Sequence, residues 1–322
     1  MSRTTLRDLI SLATSAPLAL YGPKVDDLRA FIERRQDEGL RLTPAERAAA
    51  IAAAAAPGGS GAWTPDLRRE RESRIAADLG LARDARAQPE RPYDIVDGVA
   101  LVGVYGTLHK GRVGELDASL GLCSTTALRA AIAQALDDGE VRSVLLVVDC
   151  PGGSVDGTAS LARWIYQQRG RKPMGAYCDG QATSGGYWLA AAVDPGRLWA
   201  HDLAIVASIG VYLIVRSYAE QDAERGVRSY VVRSGAMKDA LNPDEPKTPE
   251  QLAEVQAIVD GIARAFFADV AEFRGVDPAA VEALEGGAFL ANDARVDFLV
   301  DGLGPIELAA AEMAAAALEA TI

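Results

Sequence analysis

Ser184 stands in the stretch Gly180-Gln181-Ala182-Thr183-Ser184-Gly185-Gly186-Tyr187, ahead of an apolar run that reaches Val193. A serine set between small residues at a helix start can serve as a nucleophile. The glycines admit a close approach by backbone or substrate. The first helical N–H groups and the positive end of the helix dipole suit a developing oxyanion beside an activated hydroxyl. The same stretch also reads as a glycine-rich turn with a serine N-cap. A second glycine pair, Gly152-Gly153, follows Pro151 after an apolar strand. Its N–H groups could face an oxyanion, or the pair could simply close a tight turn. Neither stretch fits a phosphate-binding loop, for there is no GxxxxGK[ST] and no GxGxxG.

A serine nucleophile needs a base. The chain has two histidines, His109 and His201. Asp202 lies beside His201, which leaves a Ser-His-Asp arrangement open. The other candidate is Lys238, in Arg233-Ser234-Gly235-Ala236-Met237-Lys238-Asp239-Ala240. Lysine works as a base where desolvation disfavours its charged form. Of the other lysines, Lys24 and Lys110 precede the α/β motifs, Lys172 opens a strand, and Lys247 sits in a polar loop. The residues alone leave open a histidine base, a lysine base, and a Lys238 that is only a solvated loop residue.

These residues sit at the ends of periodic elements. Ile95 to Tyr105 is β-rich, and Thr125 to Asp138 reads as a helix. Val141 to Val148 is a continuous β-branched and leucine run, as expected of a parallel strand buried on both faces. A helix is expected over Val155 to Gln168 and a short strand over Lys172 to Tyr177. Further strands are expected over Leu198 to Ala200, Ile205 to Ile214 and Val227 to Val232, with a helix over Ser217 to Arg225. Alternating strands and helices with short links imply an α/β domain with a mainly parallel sheet. Sites in such sheets gather beyond the carboxyl ends of strands, where Gly152-Gly153 and Ser184 both fall. Thr248-Pro249-Glu250-Gln251 starts a helix that reaches about Phe273, and Asp277-Pro278 opens a shorter one. Asn292 to Leu299 and Ile306 to Leu318 are expected to be helical.

The first 92 residues differ in texture. Leu6, Leu9, Ile10 and Leu12 recur at helical spacing, which favours a short helix over a signal peptide. Val25 to Gln36 is amphipathic, and Thr43-Pro44-Ala45-Glu46 starts a helix that runs into the alanine tract Ala48 to Ala56. Arg68 to Arg86 is charge-rich. The division expected is a helical N-terminal arm over 1–92, an enzymatic domain over 93–304, and a C-terminal helix over 305–322.

The chain has 322 residues, 49% of them hydrophobic, and a net charge of −12. That balance argues against nucleic acid and anionic membrane as partners. No run reaches the roughly 18–20 apolar residues that a membrane span needs. The three cysteines are far apart, with no CxxC, so no disulfide framework and no metal site is expected, and a reducing compartment fits.

Taken in order, the motifs resemble the serine peptidase family of signal peptide peptidase A (peptidase family S49), within the ClpP/crotonase superfamily. The matching pieces are Asp149-Cys150-Pro151-Gly152-Gly153, then Ala182-Thr183-Ser184-Gly185-Gly186-Tyr187-Trp188-Leu189-Ala190, then Ala207-Ser208-Ile209-Gly210-Val211. The Ser234 to Asp239 lysine loop, Phe266 to Arg274 and Asp297 to Gly304 follow. The resemblance implies repeated β-β-α units and a mainly parallel sheet. It implies Ser184 as nucleophile, Lys238 as general base, an oxyanion hole from Gly152, Gly153 and Gly185, and Ser208 as the residue that orients the lysine. No cofactor is implied. One departure is Ala207, where the family usually has glycine. The spacing of Ser184 and Lys238 resembles single-length members, which implies a homo-oligomer whose sites lie at protomer interfaces. The Ala16-Pro17-Leu18-Ala19-Leu20 region, the arm and Gly98 to Gly106 resemble phage head maturation proteases. That implies protein substrates such as scaffold, portal or capsid proteins, met in the host cytoplasm or the prohead interior.

Overall fold

The computed structural model describes residues 18–20, 91–111 and 121–319. In chain order they form β1 (Leu18–Leu20), β2 (Asp94–Val96), β3 (Val99–Tyr105), β4 (Thr107–His109), β5 (Leu122–Ser124), α1 (Thr125–Asp137), β6 (Ser143–Cys150) and β7 (Gly152–Ser154). There follow α2 (Val155–Gln167), β8 (Met174–Thr183), α3 (Gly185–Ala190), β9 (Leu198–Ala200), β10 (Ile205–Ala207) and α4 (Ala219–Glu224). The chain continues through α5 (Pro249–Arg274), α6 (Pro278–Glu282), β11 (Ala288–Leu290), a 3-10 turn over Ala294–Leu299, β12 (Gly302–Leu303) and α7 (Ile306–Glu319). The segments assigned to the helical arm, Leu6 to Leu12, Val25 to Gln36, the helix from Thr43 and the charge-rich Arg68 to Arg86, lie outside the described residues.

The main sheet runs β11-β10-β8-β6-β3-β2, with β9 on β8 and β12 on β9. Its central neighbours β3, β6, β8 and β10 are all parallel, and β2 and β11 join antiparallel. This is the expected α/β architecture with a mostly parallel sheet. A second sheet has the order β1-β7-β4-β5.

The apolar run of β6 is continuous because both of its faces are covered. Val144, Leu146 and Val148 pack in the larger core with Ile132, Ile165 and Trp188. Leu145 and Val147 point the other way, against Tyr105, Tyr177, Ile306, Ala309 and Met313. α7 therefore packs on the sheet face opposite α1, α2 and α3. No helix among the described residues is long and apolar enough to cross a membrane.

Local signals set the helix starts. Thr248 and Gln251 close a reciprocal capping box at α5, and Asp277 caps α6 ahead of Pro278. α5 ends at Gly275 in a left-handed conformation, φ 66°.

Three expectations are corrected. β8 runs ten residues, to Thr183, because Gln181 to Thr183 still pair with β10 and Ala182 pairs with Cys150 of β6 across a register shift. β10 stops at Ala207, where Ala207 and Ser208 both turn to positive φ and cannot continue a strand. Val227 to Val232 forms no strand: it pairs with no neighbour among the described residues, and Val232 is 98% exposed.

Cys123, Cys150 and Cys178 are buried, and burial pushes the Cys178 thiol up to about 12. At pH 8 it therefore stays a thiol rather than the reactive thiolate. Native protein treated with iodoacetamide at pH 8 should keep its unmodified mass, and the chain unfolded in urea should gain three adducts.

Candidate active site

Three parallel strands end level with one another. Ala207 of β10 pairs with Thr183 of β8, and Ala182 of β8 pairs with Cys150 of β6. The residues that follow each strand emerge side by side: Ser208 after β10, Ser184 after β8, and Pro151-Gly152-Gly153 after β6.

Ser184 joins β8 to α3 with φ 53° and ψ −124°, and is 1% exposed. A non-glycine residue there carries strain of order ~1–3 kcal/mol and persists only where its surroundings hold it. A sharp strand-to-helix turn of this kind is how a serine nucleophile is lifted out of a sheet. The Ser184 N–H donates to the Ala207 carbonyl at 2.7 Å. Ala207 is itself left-handed, φ 73°, as is Ser208, φ 50°, whose N–H donates to the Gly287 carbonyl at 2.7 Å. Ala207 thus adopts the conformation that glycine takes most easily, without losing the turn.

α3 is pinned from behind. The Tyr187 hydroxyl donates to the Leu299 carbonyl at 2.7 Å, and burial holds it well above the ordinary tyrosine range. Trp188 Nε1 donates to Asp269 at 2.9 Å, and the indole stacks on Phe266 with ring centroids 3.9 Å apart. Arg163 pairs with the same Asp269. The helix that begins at Gly185 therefore has little freedom to shift.

The glycines permit the contact between the two loops. A Cβ on Gly186 would come within 2.5 Å of the Cys150 carbonyl oxygen, and one on Gly185 would lie 3.5 Å from Gly152 Cα. A Cβ on Gly153 would stand 2.0 Å from the Leu108 carbonyl oxygen, so only glycine lets β7 approach β4. The Ser184 N–H is committed to Ala207. The Gly185 N–H, first in α3, has no partner within its helix. The Gly152 N–H points at Cys150 Sγ, 3.4 Å away. Ser184, Gly152, Gly153, Gly185 and Ser208 are thus gathered at one end of the sheet.

Lys238 is not joined to them in the single chain. It is exposed, in a turn after Gly235, and no hydrogen bond links it to Ser184. The turn is nonetheless held. Arg233 pairs with Asp239 and reaches Glu245 at 2.8 Å. Gln251 Nε2 donates to the Ala236 carbonyl at 3.2 Å and to Asp239 at 3.4 Å. Gln251 also belongs to the capping box of α5, so the helix start grips the lysine turn. The capping pattern was visible in the sequence, but the role of Arg233, Asp239 and Gln251 in holding Lys238 was not. Neither histidine bonds to Ser184: His201 Nδ1 accepts from the Leu203 N–H at 3.1 Å, and His109 Nε2 is buried with no hydrogen-bond partner among the described residues.

Residues 166–319 match the sequence pattern of Peptidase family S49. This stretch is similar to that family. It contains Ser184, Ser208 and Lys238, and starts after Gly152 and Gly153. The Head-tail preconnector protein GP5 of Enterobacteria phage P21 is 34% identical over 63% of this chain and 40% of its own length. The Capsid assembly protease C of Escherichia phage lambda is 28% identical over 70% of this chain and 51% of its own. Protease 4 of Salmonella typhi is 26% identical over 69% of this chain and 35% of its own. The chain thus spans about half the length of these relatives, or less.

The strain at Ser184 has a thermodynamic signature. At an ordinary position alanine is at least as stable as glycine, but φ 53°, ψ −124° favours glycine. Ser184→Gly should be more stable than Ser184→Ala by about 0.5–1 kcal/mol, the left-handed penalty less the added unfolded-state entropy. Urea unfolding of the two variants measures the difference.

Proposed function

We propose that the chain is a serine endopeptidase in which Ser184 is the nucleophile and Lys238 the general base, and that it cuts protein components of a phage head. The observation that carries this reading is the backbone of Ser184: a buried serine held at positive φ between a strand and a helix, followed by Gly185, which lies against Gly152. Lys238 takes the Ser184 proton as Oγ attacks the scissile carbonyl. The oxyanion is received by N–H groups of Gly185 and of Gly152 or Gly153. Collapse breaks the C–N bond as Lys238 returns the proton to the leaving amine, and water activated by the neutral Lys238 then hydrolyses the acyl-enzyme. Ser208, at the neighbouring strand end, orients the lysine.

The lysine comes from a neighbouring copy. Lys238 is exposed and unbonded to Ser184 within its own chain, and its arm leaves apolar surface uncovered, with Tyr230 83% and Val232 98% exposed. A second chain laid over that arm would bury it and exclude water from Lys238, the condition a neutral lysine base requires. The substrate class follows the relatives, whose names speak of head-tail connection and capsid assembly. Scaffold, portal or capsid proteins would be cut in the host cytoplasm or within the prohead.

Ser184→Ala and Lys238→Ala should each lower casein hydrolysis by about 10³-fold or more while leaving the circular dichroism spectrum unchanged. Full activity of Lys238→Ala would remove the base assignment. Val232→Asp should shift the sedimentation velocity profile toward monomer and lower activity with it. An active monomer would contradict a shared site.

A further inference from the structure

The strand that carries the two oxyanion glycines has two edges. One is taken by β4, which runs parallel through the pair Leu108 and Gly153. The other carries β1, a segment from the start of the same chain. β1 is antiparallel to β7, with Leu18 opposite Ser154, Ala19 opposite Gly153 and Leu20 opposite Gly152. An extended peptide is gripped by a protein in just this way, as an extra strand whose main-chain hydrogen bonds do not depend on its side chains.

The direction of β1 decides what such a strand presents. Gly152 is the end of β7 that meets the serine turn, since its Cα lies 3.5 Å from the position of a Cβ on Gly185. An antiparallel strand therefore advances toward Ser184 and arrives with its carbonyl side, at Leu20. The first peptide bond beyond the paired residues at the nucleophile's end is Leu20–Tyr21. A parallel strand would arrive with its amino end and carry its paired residues' carbonyls away from the serine. The sequence suits an extended stay: Pro17 precedes the strand and disfavours helix around it, while Leu18 to Gly22 contains no proline and keeps its N–H donors.

We infer that β1 occupies the acyl side of the substrate position and that the protein cuts its own chain between Leu20 and Tyr21. The inference rests on the Ser184–Lys238 peptidase reading. Ser184 Oγ adds to the Leu20 carbonyl carbon while Lys238 takes the hydroxyl proton. The C–N bond to Tyr21 breaks, and the proton passes to that nitrogen, which leaves as a new amino terminus. Water then hydrolyses the Leu20 ester, giving a carboxylate and restoring the serine. Until this happens β1 covers the edge of β7 that any other substrate strand would use, so the self-cut comes before cleavage of other proteins.

The test is intact-mass spectrometry of the purified full chain and of its Ser184→Ala variant, with casein hydrolysis followed in parallel. The expected result is fragments 1–20 and 21–322 from the parent protein, a single uncut mass from Ser184→Ala, and loss of this cut in Tyr21→Pro. A parent protein that hydrolyses casein but keeps its full mass, or is cut at another bond, overturns the inference and leaves the peptidase reading standing. A protein that cuts neither casein nor itself overturns both. The Leu20–Tyr21 cut appearing equally in Ser184→Ala assigns it to another enzyme and overturns the inference.

Discussion

The hydrogen bond from the Ser184 N–H to the Ala207 carbonyl ties the candidate site to the sheet. It joins two strand ends that both leave the extended conformation at the same level, and both do so with residues other than glycine. Each such turn is uphill by itself. They persist because the strands beneath them are buried on both faces, and because Tyr187 and Trp188 anchor the following helix to Leu299 and Asp269. The core thus offsets a local strain that holds one hydroxyl and a set of N–H groups in fixed relation. This preorganisation is what acyl transfer asks of a protein.

The other half of the proposed machinery is built differently. Lys238 stands in an irregular arm fixed at its base by Arg233, Asp239 and Gln251 and uncovered elsewhere. A rigid serine and an exposed lysine in one chain make a division of labour between copies physically reasonable. Strand β1 adds a third participant, since it places the start of the chain on the very strand that would receive a substrate.

Much of this was legible in the sequence, and the exceptions have physical causes. β6 announced itself because burial on both faces demands a continuous apolar run. The capping residues Thr248 and Asp277 are local signals and marked their helices closely. The ordered glycine and serine motifs located Gly152, Gly153, Ser184 and Ser208. The polar end of β8 was hidden because Gln181 to Thr183 are held by backbone pairing with neighbouring strands, which leaves no apolar periodicity. Val227 to Val232 has strand-like composition, but a strand needs an edge to pair with, and the described residues supply none. The pairing of Leu18 to Leu20 with β7 and the clip around Lys238 link distant segments through backbone or polar contacts, which leave no periodic trace.

The central claim is that Ser184, positioned by the strained turn and served by a base, is the nucleophile. A peptidyl diphenyl phosphonate, which phosphonylates activated serines and spares ordinary hydroxyls, tests it without knowledge of the natural substrate. Peptide mapping by tandem mass spectrometry after treatment should find one adduct, on Ser184. No adduct, or an adduct on another serine with Ser184 unmodified, would contradict the account.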